Sequence, residues 1–82
     1  MDLVEFTEYL VKSLVSDPEE VRVKEFPTDE LDTILIQIIV NNEDVGKIIG
    51  KNGKLINSIK TLVQAKSYLN DNKKVKINID SF

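Results

Sequence analysis

The sequence has 82 residues and contains neither cysteine nor histidine. A chain of this length supports one domain with a single core, and 41% apolar with 30% charged residues is typical of a globular protein rather than a disordered one. Without Cys and His, disulfide bonds, thiol nucleophiles, imidazole bases and most transition-metal sites are excluded. The longest nearly apolar run, residues 34–40, is too short to cross a bilayer and no secretory leader is evident, so we expect a cytoplasmic protein.

The charges are divided unevenly along the chain. The formal net charge is −3, but residues 1–44 carry twelve acidic and three basic side chains, a net −9, whereas residues 45–82 carry two acids and eight lysines, a net +6. No acid lies between Asp44 and Asp71. A run of like charge is usually a solvated surface. Here the lysines converge on a glycine-rich segment, which favours an anionic partner.

The first two predicted elements are a helix and a strand. Apolar residues recur every three or four positions in residues 2–15, which predicts an amphipathic helix with Asp2 as N-cap. Residues 21–26 alternate apolar and polar side chains, as in a strand with one solvated face. Three acids in the turn at residues 27–32 lack the spacing of a calcium loop, so this turn is interpreted as solvated.

Residues 33–40 are the most hydrophobic segment and predict a central strand. Alternate positions from Ile34 to Val40 would face the helices. Leu35 and Ile39 would then lie on the other face, which helices on one side cannot cover. Two explanations stay open: this face meets another subunit, or both side chains pack beneath the edges of the neighbouring strands.

The second half predicts two helices and a strand. Asp44 is the predicted N-cap of a short helix that ends at Ile49, a longer helix covers residues 54–69, and alternating residues 75–79 form the third strand. The order is α-β-β-α-α-β. The first two strands would pair antiparallel and the third would lie parallel to the second. The predicted fold class is α/β (α+β), with three helices on one face of a three-stranded mixed sheet.

All three glycines of the chain, Gly46, Gly50 and Gly53, lie within residues 45–56. Residues 50–53, here called the glycine loop, would connect the two predicted helices and let another molecule approach the backbone closely. The amides at the start of the following helix, near Gly53 and Lys54, are predicted to face an anion, and the Lys51 and Lys54 side chains would donate to phosphate.

The residues around this loop resemble the signature of KH domains. Residues 48–56 read Ile-Ile-Gly-Lys-Asn-Gly-Lys-Leu-Ile, that is, two aliphatic residues, Gly-x-x-Gly with a basic residue, and a further aliphatic pair. The whole chain resembles small bacterial single-KH-domain proteins, the KhpA family. That resemblance implies a type II KH topology, binding of single-stranded RNA, and homodimers or heterodimers with a second KH-containing protein. It also implies RNA-chaperone and cell-elongation roles in envelope regulation.

An enzyme is not expected. A Walker A loop would need a glycine at Ile48 and a hydroxyl at Leu55, so the phosphate-binding loop of a nucleotide hydrolase does not fit. The serines have no evident base partner, and no cofactor, metal or small-molecule substrate is predicted. The alternative to RNA binding is a protein-interaction module with the KH fold that contacts no RNA.

The predicted RNA-binding residues surround the glycine loop. Packing in the core is the preferred explanation for Ile49. For Ile48, packing in the core and lining an apolar RNA-binding groove are equally good explanations. Because no aromatic residue is near the loop in sequence, contacts should depend on backbone and shape rather than base stacking. The predicted set is Gly46, Lys47, Ile48, Ile49, Gly50, Lys51, Asn52, Gly53, Lys54 and Lys60.

Overall fold

The computed structural model describes residues 1–82 and has the predicted order of elements. Two short 3₁₀ turns, Pro18–Glu20 and Lys51–Gly53, were not predicted. The helices and strands are α1 (Leu3–Lys12), β1 (Arg22–Pro27), β2 (Thr33–Val40), α2 (Asn42–Ile49), α3 (Lys54–Asn70) and β3 (Lys74–Ser81). None of the helices combines the length and apolar character that a membrane span requires.

The sheet has the strand order β1-β2-β3, with β2 in the centre. β1 and β2 run antiparallel, with Glu25 opposite Ile36, and β2 and β3 run parallel, with Ile36 opposite Ile77. The predicted fold and strand directions are therefore confirmed. The structure is an α+β fold of three helices and a three-stranded mixed sheet, the arrangement that the resemblance to KH domains implies.

The core lies between the helices and one face of the sheet. Ile34, Ile36, Ile38 and Val40 of β2 are buried against the helices, as their alternation predicts. The fully buried apolar side chains that the helices contribute to this core are Val11 of α1, Ile48 of α2 and Val63 of α3.

Leu35 and Ile39 on the opposite face are half-buried rather than exposed. Register places Leu35 between Phe26 and Lys76, and Ile39 between Arg22 and Asp80. The long side chains on the two edge strands thus flank the apolar ones in the centre. This arrangement favours the second of the two explanations, in which the pair packs beneath neighbouring strands.

The ends of the helices differ in part from the prediction. Asp2 is the N-cap of α1, in a capping box with Glu5 (2.8 and 3.2 Å), as expected. α1 ends at Lys12 rather than residue 15, and the Ser13 hydroxyl donates to the Tyr9 carbonyl (2.7 Å). A serine hydroxyl that bonds to the carbonyl of the preceding turn competes with the helical hydrogen bonds of the backbone, which favours the end of a helix there.

Asp44 is not the N-cap of α2, and that prediction was wrong. The N-cap is Asn41, whose side chain accepts from the backbone N–H of Glu43 (3.2 Å). Asn is as good an N-cap residue as Asp, so the helix begins earlier. Asp44 is instead only 1% exposed, because its carboxylate faces the loop that follows α1.

Candidate nucleic-acid interface

The glycine loop is a tight turn with three residues at positive φ: Gly50 (74°), Asn52 (56°) and Gly53 (73°). Gly50 has ψ −179°, a backbone conformation that is essentially restricted to glycine. A Cβ at Gly50 would also lie 2.6 Å from Cβ of Leu55, at the start of α3. The loop therefore packs against α3 so closely that Gly50 has no room for a side chain.

The backbone amides at the start of the 3₁₀ turn in this loop are those of Lys51 and Asn52. The prediction had placed the anion-facing amides near Gly53 and Lys54. In the structure the N–H of Gly53 donates to Gly50 (3.3 Å) and that of Lys54 donates to Lys51, because a 3₁₀ turn precedes the helix. Lys51 and Asn52 are the first two residues of this turn, and the first N–H groups of a helical turn have no acceptor within it. Both residues are exposed, so these N–H groups can donate to an anion.

Three of the four lysines in the predicted RNA-binding set have free ammonium groups. Lys51, Lys54 and Lys60 are exposed, and none of them makes an ion pair or a side-chain hydrogen bond. Lys51 lies in the loop itself, and Lys54 is the first residue of α3. Lys60 lies six residues further along that helix, on its exposed surface. These three ammonium groups can each contact a phosphate without breaking an existing bond.

Lys47 has a different environment from the other three. Its Nζ lies 3.6 Å from Oδ1 of Asp44 and also donates to the Ser16 hydroxyl. An anionic ligand would have to compete with the buried carboxylate for this ammonium group. The Lys47 ammonium group is therefore less available than those of the other three lysines.

Asp44 joins α2 to the segment between α1 and β1. Its two carboxylate oxygens accept the backbone N–H groups of Ser16 (3.1 Å) and Asp17 (3.2 Å). The hydrogen bond from Ser16 is the main reason that the pKa of Asp44 lies below its ordinary value, with Asp17 and Lys47 acting in the same direction against the effect of burial. Sequence reasoning missed this role, although an acid followed three positions later by Lys47 on one helix face was a possible signal.

The aliphatic residues near the loop divide between core and surface. Ile48 is fully buried, so its side chain packs in the core and has no access to a ligand. Ile49, for which core packing was preferred, is half-buried and packs against the edge of the core, as does Leu55. Gly46 is exposed on α2 one turn before Gly50, and an added Cβ there would meet no atom within 4 Å. Of these residues near the loop, Gly46, Ile49 and Leu55 therefore retain accessible surface, whereas Ile48 does not.

Comparison with known proteins identifies the family. A family model described as KhpA/KhpB, KH domain, matches residues 4–79. The chain belongs to this family. It is 41% identical to an RNA-binding protein KhpA of Clostridium perfringens over 92% of this chain and 96% of that protein. It is 44% identical to the Chlamydia trachomatis KhpA over 92% of both chains. These relatives are named RNA-binding proteins, and the family resemblance found in the sequence is confirmed.

Solved structures support the same fold. The chain aligns with Aquifex aeolicus Era bound to GDP and aluminium fluoride at a TM-score of 0.65 and 23% identity. It aligns with Era in complex with a GTP analogue and nucleotides 1506–1542 of 16S ribosomal RNA at a TM-score of 0.66. Both alignments cover 96% of this chain but only 29% of Era. The likeness at this identity concerns the fold.

Proposed function

We propose that this protein binds short single-stranded RNA through the glycine loop. The observation that carries the proposal is the loop itself, where Lys51 and Asn52 begin an exposed 3₁₀ turn and Lys51 and Lys54 carry ammonium groups without an ion pair. Its relatives are named RNA-binding proteins, and KH loops of this pattern clamp about four nucleotides by their backbone. Gly46, Ile49 and Leu55 would form the shallow surface against which the bases lie.

The test replaces Lys51 and Asn52 by Asp. Both glycines remain, and Asp tolerates the positive φ of Asn52, so the fold is preserved. The two new carboxylates would repel a phosphate at the loop tip, and we expect the affinity for an oligouridine of about five nucleotides to fall more than about tenfold. Fluorescence anisotropy measures the affinity, and a circular-dichroism melt checks the fold.

The chain offers a closely matched control for that variant. Asn72 also has positive φ (52°), and Lys73 beside it is exposed without an ion pair, so Asn72→Asp with Lys73→Asp makes the same chemical changes elsewhere. We expect the control to bind the short RNA like the wild type, apart from a small long-range charge effect. Equal affinities for the wild type and both variants would refute the loop as the RNA site.

Further parts of the proposal follow from the family resemblance. We propose a cytoplasmic protein without enzymatic activity, formed of one KH domain, that acts as an RNA chaperone or post-transcriptional regulator. It would act with a second KH-containing protein in cell elongation, cell shape and cell wall organisation. Deletion of its gene should then shorten or distort cells, and complementation by the Lys51→Asp, Asn52→Asp variant should fail. Full complementation would separate the cellular role from RNA binding.

The exposed face of α3 favours self-association or binding of a KH-containing partner. Leu62 (49%), Tyr68 (56%) and Leu69 (84%) are exposed large apolar residues on this helix. Leu62 and Leu69 are seven residues apart and therefore share one face, with Ser58 and Ala65 in the same stripe. A stripe of small and large residues of this kind can pack against the same face of a second helix. We therefore propose α3, rather than the back of the sheet, as the association surface.

Association and RNA binding are separable by mutation. Leu62→Glu with Leu69→Lys leaves the core unchanged and places opposite charges on the α3 stripe, so we expect a folded monomer by light scattering. The sheet-face pair Leu35→Glu with Ile39→Lys applies the same changes to the surface that was first considered. If the wild type is monomeric at high micromolar concentration and retains no KH-containing partner, the association proposal is wrong. If only the sheet-face variant dissociates, the surface is misassigned.

A further inference from the structure

The face of the sheet that lies opposite the helices has a regular composition. Because side chains alternate along strands, every second residue of each strand lies on this open face. Each cross-strand row takes one residue from β1, one from β2 and one from β3. The rows are Phe26-Leu35-Lys76, Lys24-Gln37-Asn78 and Arg22-Ile39-Asp80, and Lys74 lies beyond the first row, opposite Thr33.

The open face is basic although the whole chain is acidic. It carries four exposed cations, Arg22, Lys24, Lys74 and Lys76, against one anion, Asp80. Glu30 from the preceding turn bonds Lys76 (2.7 Å), which leaves the other three cations without an ion pair. Arg22 donates to the backbone carbonyls of Glu19 (2.8 Å) and Val21 (2.9 Å), which fix its position, and it makes no ion pair with a carboxylate.

Between these cations the open face carries both apolar and amide side chains rather than a continuous apolar patch. Leu35, Gln37 and Ile39 of β2 are half-buried, and Asn78 of β3 adds a second amide. Phe26 of β1 is 39% exposed and lies on the same face as Lys24, two residues further along the strand. A cationic edge beside amides and an aromatic ring is the combination that holds single strands of nucleic acid with little sequence preference.

The dimensions of the open face also favour a single strand of RNA over a folded protein as its ligand. Residues on one face of a strand are about 6.6 Å apart and neighbouring strands about 4.8 Å apart, so the area from Arg22 to Phe26 across three strands measures roughly 13 by 10 Å. A stable protein interface buries about 800 Å² on each partner, much more than the open face provides. A few nucleotides of an extended single-stranded RNA fit this area.

We infer that the open face of the sheet is a second contact surface for single-stranded RNA, with Arg22, Lys24 and Lys74 on phosphates and Phe26 stacked on a base. The inference rests on RNA as the ligand of the glycine loop, but it concerns the opposite side of the sheet from the helices. A strand that contacts both surfaces gains from effective concentration, because the second contact becomes intramolecular. Affinity should then increase with RNA length beyond the few nucleotides that the loop holds.

The test compares two oligouridines, of about five and about 16 nucleotides, with a charge-matched pair of variants. Arg22→Gln with Lys24→Gln removes two cations from the open face. Lys12→Gln with Lys66→Gln removes two cations from the helices, where Lys12 pairs with Glu8 (3.4 Å) and Lys66 lies over Phe6. Circular-dichroism melts establish that both variants are folded.

A single site already binds the 16-nucleotide RNA about tenfold more tightly than the five-nucleotide RNA, because the longer homopolymer offers about twelve registers, so we expect the wild type to exceed that factor by at least about tenfold. The open-face variant should lose this excess and reduce the slope of log affinity against log salt by about 1.4 for the longer RNA, since each phosphate contact to a single strand contributes about 0.7. Its affinity for the short RNA, and both affinities of the helix variant, should stay near those of the wild type. Phe26→Leu should weaken only the longer RNA, by about fivefold or more.

Equal salt slopes for the two variants with the longer RNA would overturn the inference, as would an open-face variant that retains the full length advantage. Binding of an acidic polypeptide such as polyglutamate to this face, with RNA affinity unaffected by its mutation, would also overturn it and indicate a protein ligand. Failure of the glycine loop as a site is a separate result, because it shows in the short RNA and the loop variant alone. Residual binding of the longer RNA to the loop variant, abolished by adding the open-face substitutions, would support the inference.

Discussion

Gly50 and Gly53 both have positive φ, but only Gly50 also lacks space for a side chain. At Gly53 (φ 73°, ψ 12°) an added Cβ meets nothing within 4 Å, and the conformation is left-handed helical, which Asn adopts readily. At Gly50 the Cβ of Leu55 would be 2.6 Å away. Glycine at position 50 is therefore favoured by both its backbone conformation and the lack of space, whereas at position 53 only the backbone conformation favours it.

This difference predicts unequal stabilities. Gly50→Ala should lower the free energy of unfolding by about 1 to 3 kcal/mol through backbone strain, with the contact to Leu55 adding to the loss. Gly53→Asn should change it by no more than about 0.5 kcal/mol. Urea unfolding of both variants measures the difference. Similar losses at the two positions would contradict the role assigned to Leu55.

Asp44 gives a prediction about pH. Its folded-state pKa is lowered, chiefly by the N–H of Ser16, so the ionised carboxylate is favoured in the folded protein. The stability that it contributes is fully present above its unfolded pKa of about 3.9 and is lost as the pH falls through the lower folded pKa. Asp44→Asn should therefore be less stable than the wild type at pH 7 and lose less stability on acidification.

Urea unfolding across a pH series measures this effect. The control is Asp29→Asn, an exposed carboxylate in the turn before β2 that makes no hydrogen bond or ion pair. It should follow the wild-type pH dependence. If Asp44→Asn and the control have the same acid profile, the carboxylate of Asp44 does not hold the segment after α1 in the way described.

At the scale of elements, α2 contains a glycine that its own packing does not explain. Gly46 lies in the interior of the helix and is exposed, and a methyl group there would meet no neighbour. Glycine in a helix interior costs about 0.5 to 1 kcal/mol relative to alanine. Gly46→Ala should stabilise the fold by that amount.

The same substitution should weaken RNA binding if a strand passes close to this turn of α2. Thermal melts and anisotropy on one protein sample measure the two effects, which have opposite signs. Ala65→Gly on the exposed face of α3 is the reverse change away from the loop and should destabilise the protein without affecting the short RNA. If Gly46→Ala raises the stability but leaves the RNA affinity unchanged, Gly46 is not part of the RNA-binding site.

The element most accurately predicted is the central strand. β2 was predicted at residues 33–40, as observed, because this segment is a nearly continuous apolar run. Helix ends and local hydrogen bonds were less predictable, since Asn41 and Asp44 are both good N-caps and only the position of the Ser16 amide decides between them. In the candidate site, the position of the loop was predicted from the spacing of its glycines, but the burial of Ile48 and the hydrogen bond of Lys47 to Ser16 depend on contacts distant in sequence.

At the scale of the whole molecule, charge is segregated between the two halves of the sequence. Residues 45–82 have a net charge of +6, and three lysines near the loop are free. If Lys51, Lys54 and Lys60 each neutralise one phosphate of a short oligouridine, log affinity should fall against log salt with a slope of about −2, at about 0.7 per contact. Titrations at several salt concentrations measure it.

Two variants refine that measurement. Lys54→Gln should reduce the slope by about 0.7, whereas Lys47→Gln should change it less, because its ammonium group is already paired with Asp44. A slope near zero for the wild type would indicate that electrostatic contacts do not hold the RNA. Equal reductions at both positions would show that Lys47 releases its carboxylate partner on binding.

The mixed sheet also has a consequence for how the chain folds. Ile36 pairs with Glu25, 11 residues away, on one side and with Ile77, 41 residues away, on the other. Closing the longer loop costs about 1.2 kcal/mol more in chain entropy, so the β1–β2 hairpin should form before β3 joins it. Until then the most hydrophobic strand has an unpaired edge, which is a template for aggregation. Refolding yield should therefore decrease with protein concentration, and pulsed hydrogen exchange should show the amides between β1 and β2 protected earlier than those between β2 and β3.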